Sequence, residues 1–122
     1  MTEGGGTGVI LVVDDEPAIR LLCRVNLELE GYRVLEAASL DDARRALDSG
    51  DIALVLLDMR IGMERGDALL DELQALTIPV VVVTGSADVQ EAEWAGRADA
   101  VLGKPFAIDE LLRCVRTLAR AG

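Results

Sequence analysis

The 122-residue chain carries 12 Lys and Arg against 22 Asp and Glu, a net charge of −10, with 51% apolar and only 2% aromatic residues. That length suits one domain with a core that must be largely aliphatic, and the acidic balance excludes a nucleic-acid backbone or an anionic membrane surface as a direct partner. There is no histidine, which removes Ser-His-Asp triads and histidine-ligated metal sites, and the two cysteines, Cys23 and Cys114, have no metal-binding or redox spacing.

Residues 1–8 are Gly-rich, with neither a basic start nor an apolar signal segment. They read as a flexible lead-in to a single domain over residues 9–121. Val9 to Val13 is a β-branched apolar run and is expected to be a strand buried on both faces. Pro17 opens a helix at a position where its missing N–H costs nothing. Ala18, Leu22, Val25 and Leu29 follow at helical spacing as its apolar face, and Gly31 ends it.

Arg33 to Glu36 is the second strand. Ser39, with Asp42 three residues on, caps a helix to about Ser49, closed by Gly50. Ile52 to Leu57 is a third, wholly apolar strand. A loop with Gly62 and Gly66 leads to a helix marked by Leu69, Leu70, Leu73 and Leu76. Val80 to Val83 is the fourth strand, residues 88–95 a short helix, and Ala100 to Leu102 the fifth strand. Ile108, Leu111, Leu112, Val115 and Leu118 stripe the last helix, and both cysteines fall inside helices as small apolar packing residues.

Strands joined through helices run parallel with right-handed crossovers. Five strands alternating with five helices predict an α/β doubly wound parallel sheet with helices on both faces. Such sheets bind ligands beyond the carboxyl ends of their strands. Asp14, Asp15 and Glu16 follow strand one, Asp58 follows strand three, Thr84 strand four and Lys104 strand five. Any one of these acids alone reads as a turn or capping residue. Together they bring mutually repelling carboxylates to one edge, which calls for a cation. Hard oxygen ligands suit Mg2+, and a cation beside a spare carboxylate, a lysine and a hydroxyl is equipment for phosphoryl transfer.

The segments Val12-Val13-Asp14-Asp15-Glu16, Leu56-Leu57-Asp58-Met59-Arg60, Val83-Thr84-Gly85 and Gly103-Lys104-Pro105-Phe106 come in the order found in receiver domains of two-component response regulators, which the chain resembles over Val9 to Ala119. The resemblance implies a flavodoxin-like sheet of order 2-1-3-4-5. It implies a phosphoaccepting switch rather than an enzyme, with Asp58 taking a phosphoryl group from a sensor histidine kinase or a histidine phosphotransfer protein. Asp14, Asp15, Asp58 and the backbone carbonyl of Arg60 would hold Mg2+. Lys104 and Thr84 would bind phosphoryl oxygens, and the Lys104–Pro105 bond would be cis. It further implies a downstream protein effector, a cytoplasmic location, and room for weak or phosphorylation-dependent self-association.

The chain departs from the family pattern at Val101, where an aromatic residue is usual, at Gly62, where proline is common, and in a short stretch from Thr84 to Lys104 that carries Trp94. With the usual aromatic missing, the response is expected to leave through residues 86–96. The departures also keep a second reading, a pseudo-receiver interaction module not switched by phosphorylation. A flavodoxin-like cofactor binder is a third, opposed by Asp14-Asp15 standing where a phosphate loop would be.

Overall fold

In a computed structural model, the structure describes residues 8–61, 64–85 and 98–119. The strands are β1 (Val9–Val13), β2 (Arg33–Ala37), β3 (Ile52–Asp58), β4 (Arg60–Ile61), β5 (Glu64–Arg65), β6 (Val80–Thr84) and β7 (Ala100–Gly103). The described helices are α1 (Pro17–Leu29), α2 (Leu40–Asp48), α3 (Asp67–Ala75) and α4 (Ile108–Ala119). The helix expected over residues 88–95, with Trp94, lies outside the described residues, as does Gly62.

The main sheet has five strands in the order β2-β1-β3-β6-β7, all parallel. Counting only these five, this is the expected order 2-1-3-4-5. β4 and β5 pair separately as a small antiparallel hairpin, Arg60 opposite Arg65, which no periodicity in two-residue strands could announce.

The central strands are apolar throughout because both sheet faces are covered. Alternate residues serve the two faces. Leu11, Val13, Val55, Leu57, Val80 and Val82 pack with Leu40 and Ala43 of α2 and with Leu69, Leu70 and Leu73 of α3. Ile10, Val12, Leu54, Leu56, Val81 and Val83 pack with Cys23 and Leu27 of α1 and with Leu111 and Val115 of α4. The core is aliphatic as expected, with Tyr32 at its edge. Cys23 is buried and Cys114 half-buried, and both are free thiols.

Local signals set the helix ends. The Ser39 side chain accepts the Asp42 N–H at 3.1 Å and so caps α2. Gly31 and Gly50, both at positive φ, turn the chain after α1 and α2, where a side chain would be strained.

The apolar face assigned to α1 is corrected. Leu22, Val25 and Leu29 are exposed, together with Leu21 and Ala18, whereas Cys23 and Leu27 meet the core. At 100° per residue the exposed stripe lies opposite Leu27. The helix is apolar on two sides, and Ile10, Val12 and Leu54 take the narrower one. In α3, Leu69, Leu70 and Leu73 are buried as expected, but Leu76 is the exposed C-cap.

Candidate phosphoacceptor site

The register fixes what meets at the carboxyl edge. Val13 pairs with Ala37 on one side and Leu57 on the other, so Asp14 and Asp58 leave adjacent strands side by side. The Asp14 N–H still donates to the Ala37 carbonyl at 3.0 Å, holding the acidic loop to the end of the ladder. Thr84 pairs with Gly103, and the Lys104 N–H donates to the Thr84 carbonyl at 2.8 Å. Asp14, Asp58 and Thr84 are the buried polar residues of the described core.

The side chains converge. Carboxylate oxygens of Asp14, Asp15 and Asp58 all lie within 4.8 Å of one another, Asp14 and Asp58 buried and Asp15 exposed. The Lys104 ammonium bonds Asp14 Oδ2 at 3.1 Å, Glu16 Oε1 at 3.1 Å and Asp58 Oδ2 at 3.3 Å. The other oxygens are held by backbone: the Glu16 N–H donates to Asp14 Oδ1 at 2.9 Å and the Arg60 N–H to Asp58 Oδ1 at 3.1 Å. Lys104 precedes a cis proline, Pro105. Arg60 is exposed at the rim.

Three further residues shape the site. Arg20 on α1 donates to the Asp14 carbonyl at 2.7 Å and to Glu36 on β2 at 3.0 Å, tying the acidic loop to helix and edge strand. A Cβ on Gly66 would stand 2.6 Å from the Asp58 carbonyl oxygen and 3.2 Å from Met59 Cα, so the loop closes on Asp58 only with glycine there. Glu16, read from sequence only as part of an acidic run, reaches the lysine. Gly66 was visible as a loop glycine and Glu16 as the third acid after β1, but Arg20 carried no signal beyond helix-surface polarity.

The electrostatics follow from this crowding. Burial pushes the Asp14 carboxyl above its usual pKa; the Glu16 N–H and Lys104 pull it back only in part, and Asp58 raises it further. Burial works against the Lys104 ammonium, but the hydrogen bond and charge of Asp14, with Glu16 and Asp58, outweigh it and hold its pKa above the ordinary lysine value. Cys23, beneath the site, is pushed up to about 11 by burial, with Asp14 adding to the rise, so it stays a thiol.

Hard oxygen donors, two of them buried and mutually repelling, make this a divalent-cation site in chemical character. The description "Response regulator receiver domain" matches residues 10–116. The chain is a response regulator receiver domain.

Among its relatives, the transcriptional regulatory protein KdpE of Mycobacterium tuberculosis is 38% identical over 116 residues, covering 92% of this chain and 51% of KdpE. The C4-dicarboxylate transport transcriptional regulatory protein DctD of Pseudomonas aeruginosa is 39% identical over 115 residues, 88% of this chain and 24% of DctD. The receiver domain thus spans about half of KdpE and about a quarter of DctD. The crystal structure of the response regulator TrrA of Thermotoga maritima, in complex with Mg2+-BeF, has a TM-score of 0.84 at 31% identity, covering 92% of this chain and 99% of TrrA. The receiver domain of NtrX from Brucella abortus gives 0.84 at 34% identity, with 93% and 99% covered. The domain is therefore a phosphoacceptor switch, not a classical enzyme. Among the described residues no helix is long and apolar enough to cross a membrane.

Proposed function

We propose that Asp58 accepts a phosphoryl group from a phosphohistidine on a sensor kinase or phosphotransfer protein, in the cytoplasm, and that the domain over residues 9–121 then signals to a downstream protein. The observation that carries this reading is Asp58 itself. It ends a central strand, is buried beside Asp14 and within the carboxylate cluster, and has one oxygen on the Arg60 N–H and the other on Lys104.

Asp14, Asp15 and Asp58, with the Arg60 carbonyl, would hold Mg2+. When bound, the cation supplies positive charge against the phosphoryl oxygens and relieves the carboxylate repulsion. A carboxylate oxygen of Asp58 attacks phosphorus, the P–N bond breaks, and the imidazole leaves with the electron pair and takes up a proton. The Asp58 backbone is braced by Gly66 against Met59, so its carboxylate meets the donor already oriented. Lys104 pairs with one phosphoryl oxygen and the Thr84 hydroxyl donates to another.

Support for a protein donor comes from α1. Its exposed stripe of Leu21, Leu22, Val25 and Leu29 begins six residues after Asp15 and suits a helical partner carrying the phosphohistidine. Val101, small and 37% exposed on β7, supports the pseudo-receiver as second reading, because it cannot fill a space vacated by Thr84.

Beryllofluoride with Mg2+ separates the two readings. Amide shifts at Asp58, Thr84 and Lys104 that spread to residues 86–96 support the switch. Binding confined to the site, with no spread, supports the pseudo-receiver.

A further inference from the structure

An ammonium has three N–H donors and no acceptor. In the resting domain all three donors of Lys104 have carboxylate partners: Asp14, Glu16 and Asp58. Phosphorylation converts the Asp58 carboxylate into an acyl phosphate whose charge sits on the phosphoryl oxygens, so the ammonium is then shared between Asp14, Glu16 and the phosphoryl group. Asp14 and Glu16 differ in what release costs. The Asp14 side chain is 3% exposed, so a lost partner there leaves a carboxylate with little water to replace it. The Glu16 side chain is 59% exposed, and water replaces its partner at once.

Glu16 is also built to let its side chain go while its backbone stays. It is the N-cap of α1, in extended conformation, followed by Pro17, and its N–H is fixed on Asp14 Oδ1. Withdrawing the carboxylate from Lys104 disturbs neither the helix start nor Asp14. We propose that Glu16 is a positioning residue. Its carboxylate occupies one Lys104 donor, and so holds the ammonium over Asp58 in the resting state and, after phosphorylation, competes with the phosphoryl oxygens for it.

This rests on the reading of Asp58 as phosphoacceptor, and two measurements separate the failure of one from the failure of the other. The first needs no phosphoryl chemistry. In metal-free protein, the 15N spectrum of lysine side-chain ammonium groups should show a slowly exchanging Lys104 signal that weakens or broadens in Glu16→Gln. An unchanged signal overturns the proposal, whatever Asp58 does.

The second is beryllofluoride affinity in Mg2+, for the wild type, Glu16→Gln, Lys104→Met and the double variant. Removing the competitor should tighten binding roughly 2–5-fold, the range of an exposed ion pair. The effect should vanish in the Lys104→Met background. An equal tightening there would show that Glu16 acts only as a nearby charge and would overturn the proposal, as would no tightening in the single variant. Failure of the wild type to bind beryllofluoride would count against the phosphoacceptor reading alone and leave the ammonium spectrum to decide the role of Glu16.

Discussion

Replacing Asp14 by Asn should stabilise the metal-free domain. Each pair of carboxylates, taken at 4.8 Å, the upper limit of their separation, repels by about 1 kcal/mol at the dielectric of water and about 3.5 kcal/mol at an effective dielectric of about 20. Asp14 has two such neighbours. The ammonium of Lys104, 3.1 Å away, offsets about 1.3 and 5.4 kcal/mol in the same two limits. The remainder is a net repulsion of about 0.5–1.5 kcal/mol, toward the lower end because Asp15 is exposed. The raised Asp14 pKa has the same sign. Asn keeps the size and can still accept the Glu16 N–H, so thermal melts without divalent cations should show Asp14→Asn roughly 2–6 °C above the wild type. Because the folded-state pKa lies above the ordinary aspartate value, the charged form is the unfavourable one in the folded state. The penalty is present at neutral pH and disappears as pH falls through the raised pKa, so the advantage of the variant should shrink on acidification. In Mg2+ the order should reverse, since a ligand is gone and binding no longer stabilises the fold. A metal-free variant less stable than the wild type would refute the charge accounting.

Lys104→Ala strips two buried carboxylates of their cation and should lower metal-free stability by about 1–3 kcal/mol. It should bind Mg2+ at least as tightly as the wild type while failing to convert phosphorylation into a shift of residues 86–96, checked by calcium-free metal titration and NMR. Leu22→Ser with Val25→Ser, both on the exposed stripe of α1, should change stability by no more than about 0.5 kcal/mol. The pair should leave labelling by small phosphodonors intact and slow transfer from a phosphohistidine protein roughly tenfold or more; equal slowing of both would place the effect at the site instead.

The site was legible because each of its residues terminates or follows an apolar run. Asp14, Asp58, Thr84 and Lys104 sit where β1, β3, β6 and β7 leave the core, and parallel strands share one carboxyl edge. The α1 orientation was not legible, for a physical reason. Periodicity measures how apolar a face is, and α1 has two apolar faces; its richer one points away from the sheet, and only the fit of Cys23 and Leu27 against Ile10 and Leu54 decides between them. Glu16 read only as the third acid after β1, with no role of its own. Its bond to Lys104, 88 residues along the chain, depends on the crossing from β1 to β7. Arg20 escaped for the same reason: a surface arginine on a helix gives no hint that the Asp14 carbonyl lies within 2.7 Å.

One carboxylate, Asp58, is expected to take the phosphoryl group, with a divalent cation held beside it. Intact mass after incubation with acetyl phosphate or phosphoramidate tests it most directly, in the wild type and Asp58→Asn, with Mg2+ and with chelator. The wild type with Mg2+ should gain a single phosphoryl group, lost on treatment with hydroxylamine, and the other three samples none. Equal labelling of Asp58→Asn, or undiminished labelling in chelator, would contradict it.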